Sequence, residues 1–265
     1  QAQAIIQGLK ADVATFNQVT DIDILHQRGH LIPEDWADRL PNNSSPYYST
    51  MAFLVREGNP KNIENWDDLV REDVQLVMPN PKTSGNGRYT YLAALGYAQD
   101  QFGDDQEKID QFMADLLGQV RVFDSGGRGA TTTFVERGIG DVLLTFESEV
   151  LNIADRFENG EYVAVTPKVS FLAEFPVTWI DDYVEQNGTA ELAKEYLEHL
   201  YTEDSQRLLA GFNYRVHNDA VKAENADRFP ELKLLSIEEI AGGWENAMST
   251  HFSSGGKLDQ LQRRR

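Results

Sequence analysis

Short apolar runs and helical stretches take turns along most of this chain, and that alternation limits the fold more than any other feature. Residues 11–16, 48–55, 74–78, 120–123 and 141–146 read as strands, several of them continuous apolar runs bounded by turn formers. Between them, residues 21–25, 65–70, 89–99, 106–117 and 130–137 carry helical spacing, the segment at 65–70 with a capping Asn at its start. Such an order predicts an α/β fold with mostly parallel sheets flanked by helices. Residues 163–179 are strand-like but interrupted by Pro167 and Pro176, and the chain beyond turns mostly helical. In 190–201, Leu192, Ala193, Tyr196, Leu197, Leu200 and Tyr201 recur at helical spacing and are expected to pack into a core. Gln1 to Ile6 reads as the middle of a helix, so further sequence, including a secretion signal, is expected to precede it.

Two segments share one design. Residues 78–84 and 123–129 each run from a strand end through a small-residue loop to a helix start. Such a junction presents unpaired backbone N–H groups at the positive end of a helix dipole. Glycine lets the backbone approach a ligand closely. Ser84 adds a hydroxyl and Asn86 an amide. Facing each other, two such loops form a cage for a tetrahedral anion; taken singly, each is also an ordinary tight turn of an α/β protein.

Other chemistry finds little support. The first loop lacks the Gly-Lys-Ser/Thr ending of a P-loop, and Gly127-Arg128-Gly129 has no third glycine. The five histidines show no metal-ligand spacing, and the absence of cysteine removes disulfides, thiolate zinc sites and thiol catalysis. Glu147 and Glu149 stand two apart at a strand end, where alternation points them the same way, but in a chain with 43 acidic residues a solvated or salt-bridged pair is the simpler expectation. No cofactor and no metal are expected. A formal charge of −19 disfavours nucleic acid and anionic membrane as partners. The one basic run, Arg263-Arg264-Arg265, reads as a solvated tail.

At the two loops the chain resembles a known family. Asn80-Pro81-Lys82-Thr83-Ser84-Gly85-Asn86-Gly87-Arg88-Tyr89 and Gly126-Gly127-Arg128-Gly129-Ala130-Thr131-Thr132-Thr133-Phe134-Val135-Glu136-Arg137-Gly138 are similar to blocks of the periplasmic sulfate- and thiosulfate-binding proteins. So are Arg39-Leu40-Pro41-Asn42-Asn43-Ser44-Ser45-Pro46 and His251-Phe252-Ser253-Ser254-Gly255-Gly256. The resemblance spans essentially the whole chain. It implies a two-lobed, type II periplasmic solute-binding protein, with residues 1–52 and 172–265 in one lobe, 53–171 in the other, and hinge strands near 48–55 and 171–179. It also implies a monomer that delivers its anion to the permease subunits of an ABC transporter and is not an enzyme. In the family, a strand, a helix and a strand ending in a further anion loop stand before the position of Gln1.

Carried over position by position, the resemblance places ligand contacts at Ser84 (hydroxyl and backbone N–H), Gly85 and Asn86, and at the backbone N–H of Gly127. Asn17, Gln18 and Phe146 complete the set. Sulfate binders of the family usually have Gly at the position of Asn86 and a Trp donor at that of Phe146. Phenylalanine cannot donate a hydrogen bond; losing one donor to a buried dianion costs about 1.5–3 kcal/mol. The outer sulfur of thiosulfate accepts hydrogen bonds poorly, so the expected ligand is thiosulfate, with sulfate also bound. The alternatives are another tetrahedral oxyanion, molybdate or phosphate, or an enzyme acting on a phospho- or sulfo-ester.

Overall fold

A computed structural model describes residues 1–157 and 160–263; Arg264 and Arg265 of the basic tail lie outside the described residues. The chain divides into two compact units, residues 1–49 with 173–229 and residues 50–172 with 230–265. It therefore passes from one unit to the other at 49/50, 172/173 and 229/230. None of the described helices is long and apolar enough to cross a membrane.

The first unit holds short antiparallel pairings. Val13–Thr15 pairs with Val177–Trp179, and Tyr47–Ser49 lies between Arg215–Val216 and Ala173–Phe175. The helix Val19–Gln27 buries Ile22 and Leu25 against Ile5, Ile32, Trp36 and Ile180. After Pro41 the backbone takes three successive left-handed residues, Asn42, Asn43 and Ser44. Asparagine tolerates that region better than most residues, and the buried Ser44 hydroxyl lies 3.1 Å and 3.0 Å from the Trp36 and Ala37 carbonyls. The helix Ala190–His199 buries Ala193 and Leu197, but Leu192 and Tyr196 are 66% and 53% exposed. They do not join the core as expected, because only a narrow stripe of that helix is covered, Leu197 packing with Leu40 and Val177.

The second unit is built on a five-stranded sheet in the order Val120–Asp124, Leu76–Pro79, Val142–Phe146, Met51–Arg56, Tyr162–Val165. The first three strands are parallel, whereas Met51–Arg56 is antiparallel to both of its neighbours. The α/β class holds, but the sheets are mixed rather than mostly parallel. Helical crossovers make the first three strands parallel; Met51–Arg56 instead enters directly from the first unit, with no crossover to fix its direction. The single strand expected at 48–55 is accordingly two, broken at Thr50, one in each unit.

The helix Gly85–Phe102 is buried along most of its length, from Tyr89 through Ala98, as expected for a helix covered on several sides. Part of its cover is the C-terminal segment, which the sequence reading placed in the first lobe and which packs instead in the second unit. Four side-chain contacts explain the difference. Gln99 Nε2 donates to the Ile240 carbonyl (3.0 Å), and the Tyr91 hydroxyl is hydrogen-bonded to His251 Nδ1 (3.0 Å). Lys82 pairs with Asp259 (2.9 Å), and Lys257 with the buried Asp110 (2.6 Å).

Candidate functional site

Strand Leu76–Pro79 is fully buried and delivers the chain into a loop organised by Asn80. The Asn80 N–H donates to the Asp124 carbonyl at 2.7 Å, its Oδ1 accepts from the Lys82 N–H at 2.9 Å, and its carbonyl accepts from the Ser84 N–H at 2.9 Å. The helix Gly85–Phe102 starts so close to this loop that a Cβ on Gly87 would lie 2.5 Å from the Pro79 carbonyl oxygen and 2.7 Å from Pro81 N. Ser84 is the N-cap, its hydroxyl oxygen 3.4 Å from the Gly87 N–H that it accepts. The hydroxyl hydrogen is left to donate elsewhere. The backbone N–H of Ser84, expected as a second donor, is already committed to Asn80; the hydroxyl is what Ser84 offers. Gly85 and Asn86 occupy the first turn, where helix geometry leaves N–H groups without intrahelical partners.

Strand Val120–Asp124 leads into the second loop, which the Thr83 hydroxyl joins to the first by donating to the Ser125 carbonyl at 3.0 Å. Gly127 opens a helix that runs from Gly127–Thr131 into a π-helical turn, Thr132–Glu136. Its position is shaped by Asn86. A Cβ on residue 127 would lie 2.7 Å from Asn86 Nδ2, so a side chain there would collide with that amide unless it moved. Asn86 Nδ2 in turn donates to the Thr145 hydroxyl oxygen at 2.8 Å. Ser84, Gly85, Asn86 and Gly127 are thus held at two helix starts above the end of strand Val142–Phe146.

Phe146 ends that strand, is buried, and lies with its ring 5.7 Å from that of Tyr89. Lys82, the cation in the first loop, is turned toward the C-terminal segment, donating to the Ser253 and Phe252 carbonyls (2.9 and 3.2 Å) besides its ion pair with Asp259. Glu147 and Glu149 do not form a pair: both lie in the first turn of the helix Glu147–Arg156, where Glu147 is buried and accepts from the Thr166 hydroxyl while Glu149 is exposed. Asn17 and Gln18 belong to the first unit, Asn17 exposed beyond strand Val13–Thr15 and Gln18 buried at the N-cap of Val19–Gln27. Among the described residues no group of three His, Asp or Glu side chains is arranged to hold a metal ion. The sequence reading missed Thr145, whose one visible signal is a hydroxyl set into the apolar run of residues 142–146.

Residues 1–215 match the family model described as bacterial extracellular solute-binding protein. The chain belongs to that family. Among individual members of these solute-binding proteins, it is 58% identical over 261 residues to the thiosulfate-binding protein of Escherichia coli K12, covering 98% of this chain and 77% of that one. It is 46% identical to the sulfate-binding protein of the same organism, over all of this chain and 80% of the relative. The sulfate-binding protein SubI from Mycobacterium tuberculosis H37Rv superposes with a TM-score of 0.81 at 31% identity, covering 95% of this chain and 85% of SubI. As a solute-binding protein, the chain has a fold whose business is holding a small molecule.

Proposed function

We propose that this protein binds thiosulfate, and sulfate beside it, in the periplasm and delivers the anion to the permease of an ABC importer without chemical change. The observation that carries the reading is the joining of two helix-start loops in one unit. The Ser84 hydroxyl and the first-turn N–H groups at Gly85, Asn86 and Gly127 are neutral donors, held in place while the nearby lysine is paired with Asp259. Donors of this kind suit a fully ionised, acceptor-only dianion, which can offer an oxygen to each of them. The choice of anion follows the relatives, which carry the names of thiosulfate and sulfate binders at 58% and 46% identity. Phe146 supports thiosulfate over sulfate, because a buried ring suits a large, weakly accepting sulfur better than an oxygen that requires a donor.

Competition calorimetry with thiosulfate, sulfate, molybdate and phosphate tests the reading. Thiosulfate and sulfate are expected to bind tightly and to displace one another, with molybdate and phosphate at least a hundredfold weaker. In S84A the loss of a hydrogen bond to a charged group, about 1.5–3 kcal/mol, corresponds to at least a tenfold drop in affinity. Preference for molybdate or phosphate, or an S84A variant that binds like the parent, would overturn it.

A further inference from the structure

The side chain of Asn86 bridges the two loops, yet only one end of its amide is satisfied. The end facing residue 127 meets the Thr145 hydroxyl at 2.8 Å. The other end, Oδ1, is buried and has no hydrogen-bond partner among the described residues; the whole residue is 7% exposed. A buried amide atom left without a partner is unfavourable. Oxygen and nitrogen of an asparagine amide are exchanged by a half-turn about its last torsion. Threonine tolerates both settings, because its hydroxyl can accept from Nδ2 or donate to Oδ1. After the half-turn, Thr145 donates to Oδ1 and the two N–H groups of Nδ2 take the end of the amide that has no partner among the described residues.

We infer that the buried Thr145 is a positioning residue: it fixes the Asn86 amide so that Nδ2 becomes a side-chain donor to the bound anion, and glycine at 127 is what leaves that amide room. The inference rests on the anion-binding reading above and adds to it one donor and the residue that aims it. It also makes positions 86, 127 and 145 a coupled set. A Cβ at 127 pushes the amide away, and loss of the hydroxyl at 145 frees it to rotate.

The test measures thiosulfate affinity by calorimetry in T145V, T145S, N86A and the double variant N86A/T145V, with the melting midpoint of each. T145V keeps the shape of threonine but not its hydroxyl. It is expected to weaken binding about tenfold, T145S to restore it to within about twofold of the parent, and T145V to have no further effect once N86A is present. G127A is expected to weaken binding in the parent and much less in N86A. A side-chain amide signal in 15N-correlated spectra, assigned by its loss in N86A, should shift on addition of thiosulfate, a readout that holds even if T145V fails to fold. Unchanged affinity in N86A, an unshifted amide signal, or equal effects of T145V with and without Asn86 would each overturn the inference. A parent protein that binds neither thiosulfate nor sulfate is a different failure, that of the anion-binding reading itself.

Discussion

The loops at 80–84 and 125–126 follow the same plan, a strand ending beneath a helix start, but keep their shapes by different means. The first is stitched internally by Asn80, wedged by the contact of Gly87 with Pro79 and Pro81, and braced from outside by Lys82 on the C-terminal segment. The second has one tie of its own, the Thr133 hydroxyl donating to Asp124 Oδ1 at 3.1 Å, and otherwise leans on the first: the Asp124 carbonyl accepts from the Asn80 N–H, the Ser125 carbonyl accepts from Thr83, and Gly127 fits against Asn86. One loop is a template and the other is placed by it. Damage to the first should therefore spread to the second, while damage to the second should reach the first chiefly through the Asn86 side chain.

The strongest way to break this asymmetry is at Gly87. A Cβ there meets backbone atoms, which cannot swing aside as a side chain would. G87A should lose about 3 kcal/mol of stability and lose measurable thiosulfate binding, as urea unfolding and calorimetry would read. A stable, tightly binding G87A would remove the template role. Acid gives a smaller effect on the brace. Burial, aided by Lys257 and opposed by Asp110, lowers the His251 imidazole to about 4 from its ordinary 6.5. The unfolded chain takes up this proton near pH 6.5 and the folded one only near 4. Stability from this group is therefore complete above about 6.5 and declines as pH falls toward 4. H251N, which keeps a polar partner for Tyr91, should show a shallower fall between those limits in unfolding titrations; an identical slope would free the C-terminal segment of this role. The smallest effect belongs to Lys82. K82M should cost under about 1 kcal/mol, as for a partly exposed ion pair, and leave thiosulfate affinity within about twofold. A tenfold loss would shift the binding from main-chain dipoles to a cation.

The two loops were legible because their signals are local: a strand end, small residues, and a helix start within ten residues. Helix and strand order was legible for the same reason, and the alternation through residues 74–146 corresponds to the parallel part of the sheet. What the sequence hid depends on partners far along the chain. Nothing near Lys82 announces Asp259, and nothing in 230–265 tells which unit Ile240 and His251 will cover. The run at 48–55 is uniformly strand-like, so its division at Thr50 between two units leaves no local trace. Thr145 was overlooked because a hydroxyl in an apolar strand takes on a role only when Asn86 arrives opposite it. For Glu147 and Glu149 the period changes: the strand ends at Phe146, as its sequence suggests, and in the first turn of the helix that follows, residues two apart point to different sides.

The three passages between units mean that neither unit is made from one continuous stretch of polypeptide. As the nascent chain leaves the ribosome, strands Val13–Thr15 and Tyr47–Ser49 precede by more than a hundred residues the partners described for them, in residues 173–216. The larger sheet can assemble from 50–172 well before Lys233–Leu235 arrives to pair with Val169–Phe171. Long-range closures of this kind slow folding and leave strand edges open in the interval. A chain stalled or cut before residue 230 would hold most of the anion loops, yet lack the segment that braces them.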